Sequence, residues 1–292
     1  MSQTIRLGIS TCPNDTFAFH GLLTKSVDWR GLTFEVELLD IEQLNAGLAE
    51  GRFDACKVSF HAALDHADEI VVLPSGSALG FGVGPLLLAA KPGTQPSDTE
   101  QLTLCPGQHT TATLLFELFH PRTTRLEQVV FSEIMPRLQQ ATADFGVCIH
   151  EGRFTWQQQG LACVEDLGER WEVETGCPLP LGGLVARRSL SEKTMQSVQA
   201  VIHDSLRLAL ADPDAALPTM RTHAQEFDDH VLMQHVDLYV NDYTLNLGEV
   251  GRNALAELSR RAASVGLGSG QPLDVLELVD DHSGGSVADN NA

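Results

Sequence analysis

Four short segments carry side chains able to do chemistry on a small acid. His150 closes the apolar run Phe145–Ile149 and is followed by Glu151, Gly152 and Arg153. An imidazole at the carboxyl end of a strand, with a carboxylate nearby to orient the ring and raise its basicity, has the makings of a general base. The competing reading is a hydrogen-bonded structural histidine. Lys57 and Ser59 alternate along Ala55-Cys56-Lys57-Val58-Ser59, so they share one face of an otherwise apolar strand. A cation in that place either faces a ligand or is paired with an internal Asp or Glu. Ser10-Thr11-Cys12-Pro13-Asn14-Asp15 and Pro106-Gly107-Gln108-His109-Thr110-Thr111 each follow an apolar run. Both read as helix starts, the first with Ser10 and Asn14 and the second with Thr110 and Thr111. Each is either simply a well-capped helix or one of two donor clusters for an anionic ligand.

Other chemistries find no support. No Gly-x-Ser-x-Gly elbow is present for nucleophilic hydrolysis. The glycine-rich stretch Ser75–Gly84 holds four glycines in ten residues but meets neither nucleotide-binding fingerprint. Its glycines suit close backbone approach to a ligand or between lobes. There is no Cys-x-x-Cys, and the pairs His61/His66 and His230/His235 are five apart, which splays them around a helix, so no metal is expected.

The elements that must position these groups alternate. Strand-like runs at Ile5–Ser10, Thr33–Leu39, Ala55–Ser59 and Ile70–Leu73 are interleaved with helical stretches at Thr16–Leu23, Ile41–Ala49 and Phe60–His66, which implies βαβ units and a largely parallel sheet. The pattern restarts with strands at Leu102–Leu104, Gln128–Phe131 and Phe145–Ile149 and helices at Thr110–Phe119 and Ser132–Ala141. Leu181–Ala186 reads as a return strand, and from Ser189, with Glu192 at capping-box spacing, the chain is helical to about Val265. The reading is an α/β protein of two lobes, with residues 1–90 and 188–275 in the first, 91–187 in the second, and 280–292 a disordered tail. Ser59 and His150 close corresponding strands of the two halves, which places both at the cleft.

The 292 residues suffice for two lobes, and nineteen Lys and Arg against thirty-nine Asp and Glu give a net charge of −20. That field repels nucleic acid and anionic membranes, so neither is an expected partner, and no apolar stretch is long enough to span a bilayer. No export signal precedes the first strand and the six cysteines are scattered, which together point to the cytoplasm.

Seven ordered strings carry a resemblance: STCPNDTFAFHGLL from Ser10, KVSFHA from Lys57, LPSGSALGFGVGPLL from Leu73, PGQHTTA from Pro106, IHEGRF from Ile149, TGCPLPLGG from Thr175 and YVNDYTLNLGEVG from Tyr239. Together they resemble the 1,4-dihydroxy-6-naphthoate synthases of the futalosine route to menaquinone. The resemblance implies a two-lobed α/β fold like the type II periplasmic binding proteins, with a helical C-terminal portion. It implies a carbon–carbon lyase that converts cyclic de-hypoxanthine futalosine, a small-molecule carboxylate, to 1,4-dihydroxy-6-naphthoate and dihydroxyacetone without a cofactor. The family's base falls on His150 and its substrate contacts on Lys57, Val58, Ser59, Thr110 and Thr111; Ser10, Asn14 and Asn45 complete the expected set. Lys57 is expected to assist a carboxylate or a nearby oxyanion. The rivals are chorismate dehydratase, which shares the fold, and a noncatalytic solute-binding protein.

Overall fold

The apolar runs become eleven strands in the computed structural model, which describes residues 3–149, 152–223 and 228–279. In chain order they are β1 (Gln3–Ser10), β2 (Leu32–Leu39), β3 (Ala55–Ser59), β4 (Ile70–Val72), β5 (Ala78–Gly80), β6 (Leu86–Ala89), β7 (Leu102–Cys105), β8 (Arg125–Gln128), β9 (Phe145–Cys148), β10 (Ala162–Asp166) and β11 (Leu179–Arg187). The first sheet has the order β2-β1-β3-β11-β4, with β5 also on β11, and the second has β10-β6-β9-β7-β8. Within them β2-β1-β3 and β8-β7-β9 are parallel, as the βαβ alternation predicts. The sheets are nevertheless mixed, because β11 runs antiparallel to β3, β4 and β5, and β6 runs antiparallel to β9 and β10.

Those two antiparallel strands move the lobe boundaries. β6 belongs to the second sheet and β11 to the first, so the chain crosses at 81–85 and returns at 176–178, not at 90 and 187. Both strands are largely buried apolar runs, and periodicity identifies such a run as a strand without saying which sheet it joins. The polar stretch Lys91–Glu100 after β6, which follows the expected boundary at 90, lies within the second lobe.

Three helices of the second lobe matter for the site: Thr111–Phe119, Phe131–Gln139 and Leu167–Thr175. The sequence reading offered nothing for Leu167–Thr175 or for β10, whose residues are mixed in polarity. The strand expected at Gln128–Phe131 lies earlier, at β8. Beyond β11, the helices Glu192–Ala211, Pro213–His223, Asp229–Tyr239, Asp242–Leu245 and Gly248–Ser264 pack on the first lobe. The first of them is capped by Ser191, whose Oγ accepts the Thr194 N–H at 3.1 Å, and not by Ser189, two residues too early. The expected tail, 280–292, lies outside the described residues.

The lobes meet along a tight seam. At the first crossing Gly84 lies against Gly168, so a Cβ placed on Gly84 would stand 2.2 Å from the Gly168 Cα, and one on Gly168 would stand 2.5 Å from the Gly84 Cα. Arg153 donates to the Gly84 carbonyl and, at 2.9 Å, to Asp166, which caps the helix Leu167–Thr175 through the Gly168 and Glu169 amides. Nearer the cleft, on the helix Phe60–Asp65, His61 Nδ1 donates to the Thr110 carbonyl at 3.1 Å and Asp65 faces His109 Nδ1 at 3.0 Å. The Thr111 hydroxyl donates to the Leu181 carbonyl of β11 at 2.6 Å.

Two outcomes follow from the seam. Gly84→Ala forces backbone apart against backbone and should cost roughly 1–3 kcal/mol, the usual range for overpacking, lowering Tm by about 2–4 °C per kcal/mol in a chain of this size. An unchanged melting curve would show that the seam yields freely. His61 titrates as well: burial holds its imidazole below the usual range, against the upward pull of the Thr110 carbonyl and Asp65, with His109 adding to the downward push. The unfolded chain therefore takes up a proton that the fold resists, so stability present above about pH 6.5 is lost as pH falls through it. Melting temperatures from pH 7.5 to 5 should drop less steeply in His61→Gln than in the parent chain; parallel curves would assign the acid sensitivity elsewhere.

Candidate active site between the lobes

Parallel pairing of β1 with β3, Gly8 opposite Cys56, brings the carboxyl ends of the two strands side by side. The helix start after β1 and the face of β3 that carries Lys57 and Ser59 therefore look into one cleft, which the second lobe closes with the start of the helix Thr111–Phe119 and the end of β9. The cavity between them is about 110 Å³. Ser10, Cys12, Asn14, Asp15, Lys57 and Ser59 line it from the first lobe and Thr110, Thr111, Ala112 and Ile149 from the second. Ile41, Ala78, Val83, Pro85, Leu181, Gly182 and Tyr239 complete a predominantly apolar wall. Small-molecule pockets usually measure about 300–1,000 Å³, and this cavity is smaller.

The structure pairs Lys57 internally and sets it in the cavity wall. It is 4% exposed, and Nζ lies 2.7 Å from Asp15 Oδ1 and 2.7 Å from the Gly76 carbonyl. Asp15, 3% exposed, also accepts the Ser10 hydroxyl at 2.6 Å on Oδ2 and the Asn14 amide at 3.2 Å on Oδ1. Gly76 turns its carbonyl to the lysine from a φ of +94°, a conformation natural to glycine. The loop is pinned from behind, where Gly76 N–H donates to Thr244 at 2.8 Å and the Ser75 hydroxyl donates to Leu245 at 2.6 Å. Thr244 and Leu245 thus hold in place the loop whose carbonyl meets the lysine.

The remaining expected residues divide. Ser10, Asn14, Lys57, Ser59, Thr110 and Thr111 are brought together on the cavity wall. Asn45 stands behind that wall: its Oδ1 accepts the Ser59 N–H at 2.9 Å, and its Nδ2 donates to Ser59 Oγ at 3.3 Å and to the His109 carbonyl at 3.4 Å. Val58 turns its side chain into the core and is absent from the lining. Thr110 caps its helix, and its hydroxyl donates to the Gly107 carbonyl at 2.8 Å. With Thr111 committed to Leu181, neither threonine hydroxyl has a proton left to donate. Among the described residues Ser59 Oγ is an acceptor from Asn45 and its own proton is not committed. The first-turn amides of Thr111 and Ala112 precede any intrahelical partner. His150 lies outside the described residues; Ile149, just before it in sequence, lines the cavity.

Two lining residues escaped the sequence reading as contributors. Asp15 was legible only as part of a helix start, although a lysine inside an apolar strand demands an acid and β1 neighbours β3. Tyr239, 7% exposed, reaches the cavity from the C-terminal helices, and no local pattern links it to β3. Burial pushes the thiols of Cys56, Cys105 and Cys148 up to about 12, which removes them as nucleophiles. Among the described residues no helix is long and apolar enough to cross a membrane.

Residues 5–264 match the family model described as menaquinone biosynthesis. The chain is 42% identical over 270 residues to the 1,4-dihydroxy-6-naphthoate synthase of Thermus thermophilus, covering 92% of this chain and 98% of that one. It is 38% identical over 274 residues to the Streptomyces coelicolor enzyme of the same name, covering 91% and 95%. Among solved structures, a protein of Archaeoglobus fulgidus superposes with a TM-score of 0.82 at 29% identity, covering 90% of this chain and 98% of that one. The periplasmic aliphatic sulphonate binding protein SsuA of Escherichia coli gives 0.62 at 12% identity and 98% of each chain, a likeness of fold alone. The fold is thus periplasmic-binding-protein-like, and with nine-tenths of its length aligned to two such synthases the chain belongs to the menaquinone biosynthesis family and is an enzyme of that pathway.

Proposed function

We propose that the protein is a 1,4-dihydroxy-6-naphthoate synthase, a carbon–carbon lyase acting in the cytoplasm on cyclic de-hypoxanthine futalosine without a cofactor. The observation that carries this reading is the convergence of three separate sequence blocks, STCPND, KVS and TT, on one interlobe cavity in a chain so close to two enzymes of that name. The apolar wall suits an aromatic ring, and the donors at its polar end suit a carboxylate and sugar-derived oxygens. In this reaction His150 removes a proton as general base, the carbon–carbon bond breaks with aromatisation as the driving force, and dihydroxyacetone leaves. Neutral donors around the cavity stabilise oxygen charge as it develops, and exclusion of water between closed lobes strengthens each of those contacts.

Mass spectrometry after mixing purified protein with cyclic de-hypoxanthine futalosine should show the naphthoate and dihydroxyacetone. Loss of chorismate in a parallel incubation, with no naphthoate from the first, would mark a chorismate dehydratase instead. His150→Ala should fold and bind substrate but lose about 10²–10⁴ in kcat, the usual worth of a positioned base, and His150→Asn should do no better because an amide does not take up the proton. Retention of more than about a tenth of the parent kcat, well outside that range, would place the base elsewhere.

A further inference from the structure

Among the described residues lining the cavity, Asp15 and Lys57 carry the formal charges, and they face each other at 2.7 Å. Where the cation sits, the wall is therefore neutral, in a protein whose overall charge is −20. A carboxylate brought to Lys57 Nζ would meet the carboxylate of Asp15 bonded to the same nitrogen. Attraction and repulsion would then largely cancel at nearly equal distances. A hydroxyl meets no such conflict, since it accepts from the ammonium and donates to the carboxylate.

The count of donors and acceptors agrees. An ammonium has three N–H groups; two go to Asp15 Oδ1 and the Gly76 carbonyl, which leaves one for the cavity that Lys57 lines. Asp15 Oδ2 holds the Ser10 hydroxyl and has room for a second donor. Two residues along β3, about 7 Å away, Ser59 lines the cavity with the first-turn amides of the helix Thr111–Phe119, neutral donors to which, among the described residues, no carboxylate is directly bonded; Glu42 stands behind them, accepting from Asn45 Nδ2 at 3.3 Å, and is not in the lining. We infer that the Asp15–Lys57 pair is a subsite for a hydroxyl of the sugar-derived portion of the substrate, and that the substrate carboxylate is seated at Ser59 and the helix start. The inference rests on the proposed function and fixes the direction in which the substrate lies.

The product 1,4-dihydroxy-6-naphthoate keeps the carboxylate and lacks the sugar-derived hydroxyls, so it separates the two ends. Its Kd, from fluorescence titration under argon, and kcat/KM with cyclic de-hypoxanthine futalosine are to be measured for the parent chain, Asp15→Asn, Lys57→Met and the double variant. Loss of a hydrogen bond to a charged group should lower kcat/KM by about 10–100-fold in each variant, while the Kd for the naphthoate stays within about threefold, a shift below the tenfold that 1.4 kcal/mol would give. If instead Asp15→Asn tightens the naphthoate, or Lys57→Met weakens it, by more than about tenfold, the carboxylate sits on the lysine and the inference falls. Single variants leave a buried charge unpaired; should they fail to fold, the double variant, which leaves none, carries the same comparison. A parent chain that turns over the substrate while its variants shift the naphthoate Kd overturns this subsite only. A parent chain that neither turns over the substrate nor binds the naphthoate overturns the functional reading and the subsite together.

Discussion

A lysine and an aspartate, each less than a twentieth exposed, are held together in the wall of the cleft, and the arrangement of the first lobe answers to that constraint. Removing one member of such a pair costs about 3–5 kcal/mol, because the other charge is left buried without compensation. The register of β1 on β3 brings the two residues within reach. The left-handed turn at Gly76 supplies the third group, and the C-terminal helices fix that turn through Thr244 and Leu245. Residues far apart in the chain are thus committed to one nitrogen atom, and the binding surface inherits their rigidity.

The second lobe answers to a different constraint, which is to arrive at that surface in one orientation. The Gly84–Gly168 contact leaves no space for a side chain at the crossing, and Arg153 ties the Gly84 carbonyl to the acid that caps the neighbouring helix. Closer to the cleft, His61, Asp65 and Asn45 of the first lobe reach the loop that begins the helix Thr111–Phe119. Asn45 serves both lobes at once, holding Ser59 on one side and contacting the His109 carbonyl on the other. Position of the loop and aim of Ser59 are therefore coupled without a ligand between them.

Much of this was legible in the amino-acid sequence, and the gaps have physical causes. Alternating helix and strand patterns identify the βαβ units, and strand ends identify where Ser10, Lys57, Ser59 and Thr110 gather, because ligand sites in such sheets lie beyond the carboxyl ends of strands. The partner of Lys57 was not legible: burial demands a counter-ion, but choosing Asp15 among thirty-nine acids needs the register of two strands. The expected lobe bounds put β6 and β11 on the wrong sides of the crossings, since a buried strand has no face pattern to tell its neighbours. Val58 came with the family resemblance, which transfers a position without saying whether the side chain faces ligand or core.

The place of β11 has a bearing on how the chain is made. It lies between β3 and β4 in the first sheet, yet it follows the whole of the second lobe in sequence. As the polypeptide leaves the ribosome, the strands of the second lobe are complete by residue 166, while the inner edge of β3 still awaits its neighbour at 179–187. The part begun first is therefore finished last, and for nearly 120 residues of synthesis it carries an open sheet edge of the kind that invites misassembly between chains. The lobe that holds the cation is completed only after the lobe that covers it has been made.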